Sequence, residues 1–155
     1  VSFNPHTTEH NDPKQVPPDQ WLEEDTPIYV HPKDPFKRID ILQSSRAIRV
    51  SLNNTIIAES TFSMQLYETG LRTRYYIPLT AIDASILRPS KTTTQCPYKG
   101  EAEYYDVVIG GEVYKDVVWF YTRPTVECTT IAGLCCFYNE KVDMKIRTVD
   151  DWTEA

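Results

Sequence analysis

Apolar and polar side chains alternate along most of this chain with a period of two, the spacing of a half-buried strand. In 46–52, Ile48, Val50 and Leu52 face one way, and Arg49 and Ser51 face the other. Asn53 and Asn54 follow, a pair that tolerates the positive φ of a tight hairpin turn, and 55–59 returns as the partner strand. Residues 63–68 and 72–77 read as two more strands about Thr69-Gly70. Ile109-Gly110-Gly111-Glu112 is a further hairpin signal, between 104–108 and 113–121. Residues 134–138 and 141–147 flank a turn at Asn139-Glu140. One helix is predicted over 80–87. Thr80 caps it, Asp83 stands three residues on as in a capping box, and Pro89 stops it. Many short strands at close spacing predict a mainly β protein, a compact barrel-like form or folded-over antiparallel sheets with one short helix.

The alternation is missing from the first 35 residues, which hold Pro5, Pro13, Pro17, Pro18, Pro27, Pro32 and Pro35. Proline lacks a backbone donor and resists helix, so 1–35 reads as an extended N-terminal arm, anchored by Trp21, and 36–155 as a single β-rich domain. All three histidines, His6, His10 and His31, lie in the arm. A body without histidine is a poor setting for a histidine-based metal centre or for a Ser-His or Cys-His nucleophile pair. Neither a metal nor a cofactor is expected, and no phosphate-binding loop sequence occurs.

The segment Cys96-Pro97-Tyr98-Lys99-Gly100-Glu101-Ala102-Glu103-Tyr104-Tyr105 concentrates reactive groups. If it runs straight, Cys96, Tyr98, Gly100, Ala102 and Tyr104 share one face, and Lys99, Glu101, Glu103 and Tyr105 share the other. Gly100 and Ala102 then leave a gap between phenol rings, which can floor a small-molecule pocket. The plainer alternative is a bulge at Gly100 with the tyrosines as packing residues. Lys99 joins the pocket side only if Pro97 or Gly100 breaks the strand. Residues 116–121 are apolar on both faces, as in a central strand, and the polar tips of Trp119 and Tyr121 suit a pocket rim as well as a core. Glu68, Arg72, Arg74, Tyr75 and Tyr76 form another cluster. The guanidinium fork of Arg74 suits a carboxylate, either a ligand's or that of Glu68. Arg38, Asp40 and Arg46 pose the same choice.

Proton transfer is left to Tyr, Lys, Glu, Asp and Cys side chains. Lys99 beside Tyr98 or Tyr104 is one acid–base set, because a cation lowers a phenol's pKa and burial lowers a lysine's. The candidate catalytic residues are Lys99, Tyr98 and Glu68. The candidate substrate-binding residues are Arg74, Tyr76, Tyr104, Trp119, Tyr121 and Cys96.

With 22 acidic and 16 basic side chains the net charge is −6, which disfavours nucleic acid and anionic membrane surfaces as partners. No apolar run reaches the ~20 residues of a membrane helix. Cys96, Cys128, Cys135 and Cys136 lack zinc-knuckle spacing and read as reduced thiols. Asn53-Asn54-Thr55 fits a glycosylation sequon but reads as the hairpin turn. With a polar, proline-rich start, a cytoplasmic location is expected. Oligomeric state is not legible.

The ordered motifs His31-Pro32-Lys33-Asp34-Pro35-Phe36-Lys37-Arg38-Ile39-Asp40, Ile57-Ala58-Glu59-Ser60, Glu68-Thr69-Gly70-Leu71, Thr73-Arg74-Tyr75-Tyr76-Ile77-Pro78, Cys96-Pro97-Tyr98-Lys99-Gly100 and Phe137-Tyr138-Asn139-Glu140 carry a resemblance. With Ser44-Ser45-Arg46, Trp119, Tyr121, Pro124 and Val142-Asp143, the chain resembles domain of unknown function family 427 over 31–143. Asn53-Asn54 stands where that pattern usually has glycine and Arg72 where it commonly has proline; Cys128, Cys135 and Cys136 lie outside the pattern. The resemblance implies a small β-rich domain without a general assigned activity. The family's nucleotidyltransferase-like label is not carried over, because no Gly-Ser turn followed by an Asp-x-Asp pair is present. The long arm is similar to fungal versions, some small domains of which serve secondary-metabolite pathways.

The residues allow three functions. The first is a cofactor-independent enzyme that moves protons for isomerisation, cyclisation or dehydration of a small organic substrate in an aromatic pocket. The second is a non-catalytic small-molecule or partner-binding module. In the third the motifs are structural and function lies on a surface or in the arm.

Overall fold

The computed structural model describes residues 36–155 and the backbone of a two-stranded hairpin, β1 (Leu22–Glu23) with β2 (Thr26–Pro27). The rest of the expected arm, with Trp21 and the three histidines, lies outside the described residues. From residue 36 the chain forms eleven further strands. They are β3 (Ile39–Ser44), β4 (Ile48–Leu52), β5 (Thr55–Ser60), β6 (Ser63–Glu68), β7 (Arg74–Ile77), β8 (Leu87–Cys96), β9 (Gly100–Ile109), β10 (Glu112–Phe120), β11 (Cys135–Phe137), β12 (Asp143–Arg147) and β13 (Trp152–Glu154). Among the described residues no helix is long and apolar enough to cross a membrane.

Two antiparallel sheets result. The larger has the order β3-β6-β7-β11-β10-β9-β8, the smaller β13-β12-β4-β5. This is the expected mainly β architecture of folded-over sheets, and neither sheet closes into a barrel. The β4–β5 hairpin turns on Asn53 (φ 50°) and Asn54 (φ 59°), two consecutive left-handed residues, as a tight primed turn requires.

Side-chain alternation divides the larger sheet into two chemically different faces. Ile77, Val107, Val118, Cys135 and Phe137 point toward the smaller sheet and pack with its Ile48, Val50, Met144 and Ile146. Their neighbours along the same strands, Tyr76, Tyr104, Trp119 and Cys136, point the other way. There they pack with Leu66, Ala102 and Tyr121 and with Cys128 and Ile131 of a 3-10 segment, Val126–Ile131. One face is therefore an aliphatic sandwich core, and the other is lined with rings that carry polar tips.

The larger sheet is strongly curved. Glu68 ends β6, and Lys99 sits in the turn between β8 and β9, four strands away in the sheet order. On a flat sheet that is ~19 Å at about 4.8 Å per strand, beyond the combined reach of the two side chains. Yet Lys99 Nζ donates to Glu68 Oε2 at 2.5 Å. The sheet curls until its ring-bearing face becomes a hollow.

The structure corrects the sequence reading over 80–89 and decides between its two readings of 96–105. The helix over 80–87 is two 3-10 turns, Leu79–Ala81 and Ala84–Ile86. The capping residue is Asp83, whose side chain accepts from the Ser85 N–H, rather than Thr80. With so few turns available, docking to the sheets decides the conformation. Pro89 does not follow a helix: it lies in β8, an edge strand, where a missing donor is tolerated. The straight run through 96–105 is broken by a tight turn that pairs Cys96 with Gly100.

Gly100 has φ +109°, and a Cβ there would lie 3.2 Å from the Arg123 carbonyl oxygen. Gly110, with φ +57°, has open space around it. Gly100→Ala is expected to cost about 2–3 kcal/mol and Gly110→Ala about 1 kcal/mol, measured by urea unfolding. Equal losses would contradict the close approach at Gly100.

Candidate functional site

The rings on the curved face are locked to one another. Trp119 Nε1 donates to Tyr76 Oη at 3.1 Å, with the two rings edge to face at 6.3 Å. Tyr121 lies 6.5 Å from Tyr76. Tyr138, just beyond β11, stacks on Tyr104 at 6.4 Å and leans on Trp119 at 4.3 Å. The Tyr104 hydroxyl shares a hydrogen bond of 2.8 Å with Thr94 Oγ1 and lies 3.4 Å from the Tyr138 hydroxyl. A cavity of about 500 Å³ lies against these rings.

The cavity lining carries Glu68 and Lys99. Glu68 is 7% exposed and takes a second cation, Lys37, at 3.6 Å on its other oxygen. Lys99 reaches the cavity because the turn ending at Gly100 reverses the alternation. Burial pulls the Lys99 pKa down, but the Glu68 hydrogen bond and nearby negative charge outweigh it, and the net direction is up. Lys99 is thus an ammonium held by a carboxylate. The expected pairing with Tyr98 or Tyr104, and a fall of its pKa toward neutrality, are replaced by this ion pair.

A second charged group in the lining is built on arginines. Arg74 grips Glu140 through two parallel bonds, Nη1 to Oε2 at 3.0 Å and Nη2 to Oε1 at 3.1 Å, and Arg72 adds a longer one of 3.4 Å. The partner of Arg74 is therefore Glu140 and not Glu68. Asn139 Oδ1 accepts from Arg74 at 3.2 Å, and the guanidinium lies over Trp119 at 5.2 Å and Tyr138 at 5.8 Å. The hydrogen bonds from Arg74 hold the Glu140 carboxyl down at about 2.

Eight of the nine residues singled out from the sequence line this cavity: Glu68, Arg74, Tyr76, Cys96, Lys99, Tyr104, Trp119 and Tyr121. The ninth, Tyr98, does not. Its ring lies under Lys37 Nζ at 4.9 Å, and its carbonyl accepts from Thr125 Oγ1 at 2.6 Å. Tyr75 packs against the aliphatic core on the opposite face. Arg38 and Asp40 form an exposed pair at 3.0 Å, away from the cavity. Sequence reasoning missed Gly70, Leu71, Thr94, Tyr138 and Glu140 as lining residues. Tyr138 and Glu140 carried a signal, standing in Phe137-Tyr138-Asn139-Glu140 at a turn, but Thr94 sits in a polar run with none.

Burial raises the pKa of Tyr76, Tyr121 and Tyr138, so these phenols stay protonated as hydrogen-bonding groups. Burial also pushes the Cys128 thiol up to about 11, the Cys135 thiol up to about 12, and the Cys136 thiol further still. Cys96 is the half-buried thiol of the four. Among the lining residues three cations face two carboxylates, so the cavity is locally positive in a chain of net charge −6. Among the described residues no three His, Cys, Asp or Glu side chains converge as a metal site.

Glu140 gives a pH signature. Its folded pKa is below its ordinary 4.5, so its contribution to stability is full above about 4.5 and is lost as pH falls toward about 2. Glu140 is half exposed, and solvent screening limits that contribution to about 1 kcal/mol or less. Urea unfolding between these limits should show a steeper acid decline in the parent protein than in Glu140→Gln; superimposable curves would refute the pairing. In iodoacetamide labelling followed by peptide mass analysis, Cys96 should react in the native protein, and the other three thiols only after denaturation.

A search of curated proteins finds no match to the chain. The family described as Domain of unknown function (DUF427) matches residues 40–148. That match takes in the larger sheet from Asp40 onward, three of the four strands of the smaller sheet and every residue of the cavity, and the chain belongs to this family.

Proposed function

We propose that the curved face is a binding site for a small organic molecule with a flat apolar body, held between the tyrosine and tryptophan rings and oriented by polar groups at its ends. The observation that carries this reading is the cavity itself. Its volume of about 500 Å³ falls in the range of small-molecule sites, and apolar walls meet a few fixed polar groups there. The lining is rigid before any ligand arrives, because the Trp119–Tyr76 and Thr94–Tyr104 hydrogen bonds and the ring stacking fix it, which lowers the ordering cost of binding. Raised phenol and thiol pKa values favour recognition over base catalysis by those groups.

A second, catalytic reading rests on one observation, the Glu68–Lys99 pair at the cavity wall. A substrate oxygen hydrogen-bonded to the Lys99 ammonium would draw it from Glu68. The Glu68 carboxylate would then accept a proton from the neighbouring carbon while the electron pair moves onto that oxygen, and the proton would return at another position. This is cofactor-independent isomerisation; loss of a β-hydroxyl as water makes it dehydration, and attack of the enolate carbon within the same molecule makes it cyclisation. A secondary metabolite is a fitting substrate class for such an aromatic pocket.

Isothermal titration against a panel of neutral and charged aromatic compounds tests the binding reading. Members of the panel should bind the parent protein, and Cys96→Trp should abolish binding by filling the cavity while leaving the thermal melt unchanged. Silence across the whole panel removes the reading. For the catalytic reading, incubation with a metabolite pool should yield products of altered mass or retention time that disappear in Lys99→Met and Glu68→Gln. Products that persist in both variants exclude the pair from the chemistry.

A further inference from the structure

The two carboxylates of the cavity differ in how firmly they are held. The Glu68 side chain is 4% exposed and sits between two lysines, so removing it would strand a buried charge. The Glu140 side chain is 49% exposed and projects from the turn between β11 and β12. It can swing into water at small cost.

Arg74 does not depend on Glu140 for its position. Its side chain is 23% exposed, Asn139 holds one nitrogen, and the guanidinium lies over the faces of Trp119 and Tyr138. If Glu140 moves away, a pre-set fork with two free donors remains above the aromatic walls, and Arg72 stands beside it. The bond lengths of 3.0 and 3.1 Å show what that fork accepts: a planar pair of oxygens sharing one negative charge.

Building on the pocket reading above, we infer that the ligand class is an aryl or other flat apolar carboxylate, and that Glu140 occupies the ligand's carboxylate position and is exchanged for it on binding. Glu140 thus acts as a resident competitor. The ligand's apolar body lies along Trp119, Tyr138 and Tyr104, and its acid group closes on Arg74 and Arg72. The net positive lining favours this exchange on a protein that otherwise repels anions. An ester or primary amide of the same acid cannot displace Glu140, because it brings no charge to replace the one that leaves.

The test is isothermal titration of the parent protein and Glu140→Gln with two acids, indole-3-acetate and cinnamate, and with their primary amides. The acids should bind the parent more tightly than the amides. Glu140→Gln should bind the acids about tenfold more tightly than the parent, the scale of one hydrogen bond to a charged group, and the amides as before. Arg74→Lys should lose the acid preference, and a thermal melt of each variant shows that it is folded. Acids and amides that bind alike, with Glu140→Gln indifferent, overturn this inference and leave the pocket reading standing. Weaker acid binding by Glu140→Gln also overturns it, by making Glu140 a support for Arg74 and not a competitor. If neither acids nor amides bind either protein, the pocket reading falls and this inference with it.

Discussion

The ion pair between Lys99 and Glu68 joins parts of the larger sheet that lie four strands apart in its order. Such a pair is costly to bury, because both ions leave water and attraction offsets the loss only with good geometry. Here the carboxylate is fully used: one oxygen takes Lys99, the other Lys37. The turn that presents Lys99 is itself tied down. Its carbonyl accepts the Thr125 N–H at 3.0 Å, and the adjacent Tyr98 carbonyl takes the Thr125 hydroxyl. The anchor acts together with the packing across the same face, where Cys128 and Ile131 of the 3-10 segment lie with Leu66 of β6 and with Ala102 and Tyr104 of β9. The hollow, its ring geometry and the placement of Arg74 all follow from the curl.

The two faces of the larger sheet bury different chemistry. Aliphatic side chains such as Ile48, Val50, Val107 and Val118 have no polar atoms to satisfy and interdigitate to high density. Tyr76, Tyr104, Trp119 and Tyr138 must pair their hydroxyl and indole groups as well as bury their rings, which restricts their orientation. Burial keeps the phenols of Tyr76, Tyr121 and Tyr138 protonated, and the site's charge is carried by Lys99, Glu68, Arg72, Arg74 and Glu140.

Much of this was legible in the sequence where the physics is local. Alternation at Ile48, Val50 and Leu52 and the paired asparagines at 53 and 54 specify strand and turn without help from the rest of the chain. The site residues were legible as types, because tyrosine, tryptophan, arginine and a buried-side carboxylate in short strands suggest a polar-tipped pocket. Their partners were not. Lys99 seemed to face away, and only the reversal at Gly100 turns it inward. Arg74 chose Glu140, which is 66 residues away, over the nearer Glu68. The segment 80–87 had the composition of a helix but only about two turns of length, too few to resist its surroundings.

The chain alone thus determined the strand content, the hairpin turns, the two-residue alternation of side chains along the strands, and the acidic balance. These depend on neighbours within a few residues, where side-chain periodicity and backbone sterics act directly. The tertiary structure decided which sheet edges approach, how far the larger sheet curls, which cation meets which carboxylate, and that Tyr98 lies outside the cavity while Thr94 lies inside. Those outcomes are set by contacts between residues tens of positions apart, whose free energies depend on the desolvation and geometry of the assembled pair and are absent from either residue taken singly.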